Sequence, residues 1–177
     1  MPGGSYRSTP LAPPALSVDS AIMRVAFGSD HAGFSLKEIL KAELVGRGFE
    51  VSDLGTSDAD VSVDYPDFGA AVGRAVAAGE ADLGVCTCGS GNGIAMAANK
   101  IPGVRAAVVH DVTTATLARL HNHANVVCLG SRVVGVTVAV DTLIAFLSAA
   151  EEQRHGGRIA KLAELDRGLV HNSEGTS

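Results

Sequence analysis

Between Ala81 and Lys100 (ADLGVCTCGSGNGIAMAANK) a short apolar run breaks into three alternating glycines and then resumes as helix-forming sequence. Few folds accommodate that order. A buried strand that hands over at once to a helix must turn sharply, and glycine supplies the positive φ and the close backbone approach such a turn needs. The pattern predicts a strand over Leu83 to Thr87, a loop through Gly89, Gly91 and Gly93, and a helix from Ile94 to Ala98. The N–H groups of a helix N-terminus have no intrahelical partners, so this loop is expected to receive an anion. Cys88 enters the loop just ahead of the glycines, where a helix N-terminus favours the thiolate. A nucleophile or base beside an anion hole is the expectation.

The rest of the chain repeats the strand-to-helix theme. Arg24 to Gly28 predicts a first strand, with Ser29, Asp30 and His31 at its carboxyl end, where open α/β sheets place ligands. Ser35 and Glu38 have the spacing of a capping box, and Leu36, Ile39, Leu40 and Leu44 then recur at helical intervals. Phe49 to Leu54 predicts a second strand, followed by an acidic loop through Asp58, Asp60 and Asp64. Pro66 opens a helix whose apolar stripe is Phe68, Ala71, Val72 and Ala75. Beyond the glycine loop, Val104 to Val109 predicts a strand and Thr113 to Leu120 a helix. A polar turn follows over His121-Asn122-His123-Ala124-Asn125. Val126 to Leu129 predicts the fifth strand, Gly130, Ser131 and Arg132 close it, and Val133 to Leu147 a long apolar helix. Glu151 to Leu165 is a detached charged segment. Five strands alternating with helices imply an α/β fold with a parallel sheet covered on both faces.

Residues 1–22 carry Pro2, Pro10, Pro13 and Pro14 among Gly, Ser and Thr without periodicity, and read as a disordered leader. Residues 23–167 read as a single α/β domain and 168–177 as a frayed tail, a length that suits one ordinary core. A net charge of −5 and 4% aromatic residues exclude a basic, stacking nucleic-acid surface. No apolar run has the length of a membrane span, so no membrane partner is expected. The three cysteines, Cys86, Cys88 and Cys128, lie in or beside strand-like runs rather than in a disulfide framework, which points to a reducing, cytoplasmic setting.

Each chemical reading has a plain structural rival. Cys86, still on the strand, reads as a small core residue, whereas Cys88 is expected to face the crevice. Asp30 and His31 could be only a turn and a cap, but their place at a strand's carboxyl end favours function. His121 and His123 form a His-x-His pair without a carboxylate or cysteine at a familiar ligand spacing, so no metal is expected. A dinucleotide site is also considered, because Asp111 follows the glycine loop and the next strand as a ribose-binding acid would. Gly89 and Gly91 match that fingerprint's first two positions, but Ile94 stands where its third glycine belongs.

Five motifs in order, GSDHAGF, CGSGNGIAMAANK, RLHNHAN, GSRVVG and RHGGR, resemble the type B ribose-5-phosphate isomerases and their allose- and galactose-6-phosphate isomerase relatives, from about Met23 to Arg158. The resemblance implies a Rossmann-like three-layer sandwich with a five-stranded parallel sheet. It implies a homodimer that can pair into a homotetramer, and cofactor-free, metal-free aldose–ketose isomerisation of the kind used in the pentose phosphate pathway. Ile94 stands where one branch of the family carries a catalytic glutamate, so the chain resembles the branch with a cysteine base. Carried over by motif, Cys88 moves the proton between C1 and C2, and His121 assists ring opening. Asp30, His31 and Asn122 hold the sugar; Gly89, Ser90, Gly91, Asn92 and Gly93 face the enediolate; Arg132, Arg154 and Arg158 hold the phosphate or line its site. Ribose 5-phosphate is the expected substrate. Allose 6-phosphate, galactose 6-phosphate or a tetrose phosphate are alternatives, as is a non-catalytic phosphosugar-binding subunit.

Overall fold

The computed structural model describes residues 22–168. The proposed leader, apart from Ile22, and residues 169–177 of the tail lie outside the described residues. Five strands form one sheet: β1 (Arg24–Ser29), β2 (Glu50–Asp53), β3 (Leu83–Cys88), β4 (Ala106–Val108) and β5 (Val126–Gly130). Every pairing is parallel, in the order β2-β1-β3-β5-β4. The helices are α1 (Phe34–Gly46), α2 (Tyr65–Ala77), α3 (Asn92–Ala98), α4 (Val112–Asn122), α5 (Val136–Ser148) and α6 (Gly156–Asp166). A 3-10 turn at Gln153–His155 precedes α6.

Alternation along the strands divides the core into two layers, because successive side chains of a strand point to opposite faces. Val25, Phe27, Leu83, Val85, Val127 and Leu129 pack with Leu36, Leu40 and Leu44 of α1 and with Leu143 and Phe146 of α5. Ala26, Cys86, Cys88, Val126 and Cys128 face the other way, against Val72 and Val76 of α2 and Ile94 and Ala98 of α3. That second face is built of small residues, and α2 sits close to it. A Cβ on Gly84 would lie 2.6 Å from a Val72 methyl. The arrangement is the expected three-layer α/β sandwich.

β1 and β3 are neighbours whose chains leave in opposite directions, to β2 on one side and toward β4 on the other. A crevice therefore opens at their carboxyl ends, the place where open α/β sheets bind ligands. The β1–α1 loop leans on β3 there: a Cβ on Gly33 would meet the Thr87 carbonyl oxygen at 2.2 Å, and Thr87 Oγ1 donates to the Gly33 carbonyl at 2.9 Å.

Several expected boundaries move. The Ser35/Glu38 capping box is absent: α1 begins at Phe34 with Gly33 as its cap, so Ser35 is already inside the helix. Asp30 Oδ1 instead accepts the Gly33 N–H at 2.8 Å, and Glu38 pairs with Lys41 at 2.7 Å. β3 runs one residue further than expected because Cys88 stays in register with Gly130. The polar turn expected at residues 121–125 is shorter, since α4 carries His121 and Asn122 in its last turn. His123 ends that helix in the left-handed region (φ 49), its ring held by the Glu152 carbonyl at 3.0 Å. α5 starts at Val136 rather than Val133, because the Val133 and Val134 N–H groups turn back to the Gly130 carbonyl.

Candidate active site

The carboxyl ends of three strands build the crevice. After β1 come Asp30 and His31, at the end of β3 Cys88 and the glycine loop, and after β5 Ser131 and Arg132. Short bonds lock these loops together. Ser131 N–H donates to the Cys88 carbonyl (2.9 Å), Arg132 N–H to the Gly89 carbonyl (3.0 Å), and Ser131 Oγ to the Ala32 carbonyl (2.7 Å). The result is a cavity of about 380 Å³ lined by Asp30, His31, Ala32, Tyr65, Cys88, Gly89, Ser90, Gly93, Arg132 and Val133.

Cys88 is buried within it, and its Sγ accepts the Gly91 N–H at 3.1 Å. Gly91 achieves this by adopting φ 83, a conformation that costs an L-residue energy and glycine little. α3 then starts at Asn92, two residues before the expected start. Its first amide, Asn92 N–H, donates to Ser90 Oγ at 3.3 Å, and the next two, of Gly93 and Ile94, have no intrahelical acceptor. Arg132 lies against Gly89, where an added Cβ would come 3.3 Å from the guanidinium. The Tyr65 ring covers Gly93, at 2.7 Å from an equivalent Cβ. Cys86 and Cys128 are fully buried neighbours in register below the loop. A hydrogen bond with Cys86, burial and the nearby sulfurs push the Cys128 thiol well above its ordinary range, which leaves it protonated and inert.

The other candidate residues do not line this cavity. His121, Arg154 and Arg158 gather elsewhere, at the end of α4 and the start of α6. The His121 and His155 rings are 4.6 Å apart, Arg154 Nη2 lies 3.4 Å from His121 Nε2, and Arg158 Nη1 lies 3.3 Å from His155 Nδ1. Arg154 also pairs with Glu152, which holds that carboxyl below the usual carboxylate range. Burial, then the Arg154 charge, hold His155 below the usual histidine range. Among the described residues its buried Nε2 has no hydrogen-bond partner, the nearest carboxylate being that of Glu152 at 3.5 Å. Asn122 faces a separate groove beside β4 and α6. The His-x-His pair does not converge: His123 turns to Glu151 and Glu152, while the ring that lies beside His121 is that of His155. His121, Glu152 and His155 could offer three atoms within 4.8 Å to a cation. Two guanidinium groups at the same rings suit an anion better.

Three residues of these sites had no sequence signal of their own. Tyr65 lay in an acidic loop, His155 was one charge among several, and Lys37 fell on an apolar stripe. Lys37 is almost fully buried, and its Nζ donates to both oxygens of Asp53 at 2.8 Å and to the Thr56 carbonyl at 2.7 Å. Burial alone would raise the Asp53 carboxyl, but the bonds from Lys37 and Lys41 outweigh it and hold that group below the usual range.

Comparison with known proteins establishes the family. The model of the Ribose/Galactose Isomerase family matches residues 25–162, and the chain belongs to that family. It is thereby an enzyme of the aldose–ketose isomerase class. Ribose-5-phosphate isomerase B of Escherichia coli is 44% identical over 145 residues, covering 81% of this chain and 97% of that protein. Among solved structures, ribose-5-phosphate isomerase B of Clostridium thermocellum superposes with a TM-score of 0.81 at 45% identity, covering 84% of this chain and all of that one. The Mycoplasma genitalium ribose-5-phosphate isomerase B, solved with bound ribulose-5-phosphate, has a TM-score of 0.79 at 41% identity, covering 83% and 98%. Among the described residues no helix is long and apolar enough to cross a membrane.

Proposed function

We propose that this isomerase interconverts ribose 5-phosphate and ribulose 5-phosphate through an enediolate, with Cys88 as the base. The observation that carries the reading is the Cys88 sulfur seated in the crevice against the Gly91 N–H, with the α3 amides and Arg132 around it. A proton beside a carbonyl is too weakly acidic for a thiolate to remove unless the forming oxyanion is stabilised. Preorganised N–H donors contribute on the order of 3 kcal/mol each to that stabilisation. Gly89, Ser90, Gly91, Asn92 and Gly93 supply the loop that does this, while Asp30 and His31 hold the sugar. A furanose hides its carbonyl, so opening it needs a group that exchanges protons near neutral pH, which is the role of His121.

Because His121, Asn122, Arg154 and Arg158 lie away from the Cys88 cavity, the complete site forms between two chains of a symmetric homodimer, and such dimers can pair into tetramers. α6 supports this reading: none of its residues is buried, and it exposes Leu162 and Leu165. The partner chain then brings His121 and Asn122 to the sugar, and Arg154 and Arg158 join Arg132 around the phosphate, which guanidinium groups bind bidentately. No step requires a metal or cofactor. The three free, buried cysteines suit a cytoplasmic setting.

The test is a coupled assay across ribose, allose, galactose and tetrose phosphates without added cofactor, with Cys88→Ala beside the native protein. Ribose 5-phosphate should turn over fastest. The variant should lose both isomerisation and exchange of the C2 proton with solvent deuterium while still binding phosphosugar. Normal exchange in Cys88→Ala would reject the cysteine base, and binding without turnover in the native protein would mark a non-catalytic subunit.

A further inference from the structure

His31 reaches the cavity wall with one ring nitrogen already engaged. Its Nδ1 lies 3.1 Å from the backbone N of Val63, an amide that can only donate, so Nδ1 is the acceptor. In the neutral ring the proton then sits on Nε2, since the hydrogen bond at one nitrogen decides the tautomer at the other. Nε2 has no protein partner among the described residues. The Val63 amide is delivered by the β2–α2 loop, whose residues 57–62 are exposed. That loop is fastened at its start by Thr56: its N–H donates to the Ser29 carbonyl at 3.0 Å, and its carbonyl accepts from buried Lys37 at 2.7 Å. At its far end Asp64 and Pro66 begin α2.

We propose that the β2–α2 loop is a positioning device for His31: Lys37 anchors the loop, the Val63 amide selects the Nε2–H tautomer, and His31 thereby meets the sugar as a hydrogen-bond donor. A ring held this way offers no lone pair to the cavity. Proton abstraction is left to Cys88, and His31 donates to a hydroxyl or ring oxygen of the substrate. The tautomer follows from this chain alone, and only the donation to substrate rests on the isomerase reading. Lys37 and the Val63 amide are positioning groups that need not touch the sugar.

Long-range proton–nitrogen correlation on the ¹⁵N-histidine-labelled protein reads the tautomer directly, with His31→Gln assigning the signals by their loss. Wild type should give an unprotonated Nδ1 and a protonated Nε2 for His31. A protonated Nδ1 in the neutral ring would overturn the proposal. Val63→Pro deletes the amide proton and Val63→Ala keeps it. The proline variant should mix the tautomers and lower kcat/KM by about ten- to a hundredfold, as loss of a histidine's orienting partner does elsewhere, while the alanine variant stays near wild type. Should Val63→Pro not fold, His31 itself supplies the contrast. Gln can place an N–H where Nε2 stood, and Asn reaches only to the Nδ1 position. His31→Gln should keep clearly more activity than His31→Asn, and equal losses would reject the donor role. Absence of isomerase activity in a wild type with the expected tautomer would instead count against the isomerase reading.

Discussion

Whether the proposed site residues come together across two chains can be decided by mixing two inactive variants. Cys88 lines the crevice at the end of β3, whereas His121 sits at the end of α4 among Arg154 and His155. Cys88→Ala and His121→Ala should each be inactive alone. In a shared-site dimer, a heterodimer of the two variants has one site with both lesions and one with neither. Random assembly makes about half of the dimers mixed, and each has one of two sites intact, so activity should return to about a quarter of wild type. The assay is isomerisation by the co-expressed, doubly tagged and purified heterodimer, in which the figure rises to about half. If each site were built within one chain, every site would carry one lesion. Verified heterodimers without activity would therefore refute the shared site and leave the family assignment standing.

Other outcomes follow from single positions. Activity should survive exhaustive chelation, and a stoichiometric metal whose removal abolishes turnover would assign a role to the His121, Glu152 and His155 group. Cys86→Ala should cost about 1 kcal/mol of stability by denaturant melting, with kcat unchanged, because Cys86 is core. Lys37→Met should cost roughly 2 kcal/mol, less than for a fully buried pair because Asp53 is partly exposed and keeps Lys41. The Asp53 carboxyl is lower in the folded than in the unfolded state, so its stabilisation is present above the usual carboxylate pKa and is lost as pH falls through the folded value. Acid melting below about pH 4 should thus be steeper in wild type than in Lys37→Met. Gly91→Ala forces φ 83 on an L-residue at a cost of about 1–2 kcal/mol and should displace the amide that faces Cys88, lowering kcat more than binding.

Much of this architecture is local and therefore readable along the chain. Strand–helix alternation, the glycine loop, and the place of Asp30, Cys88 and Arg132 at strand ends all follow from periodicity and turn chemistry, which depend on near neighbours. The crevice was legible for the same reason: in a parallel sheet every strand's carboxyl end lies on one side. Ser35 misled because a capping pattern competes with other donors and acceptors, and the Asp30 carboxylate reached the Gly33 amide first. His121 and Asn122 read as a turn because polar residues end a stripe, whereas the helix end is set by His123, whose left-handed backbone is accompanied by a ring bond to the Glu152 carbonyl. Strand order, the pairing of β3 with β5 rather than β4, and the burial of Lys37 against Asp53 were decided only in three dimensions. Each joins residues far apart in sequence, and what selects them is the free energy of packing and of satisfying buried charge, which no local pattern encodes.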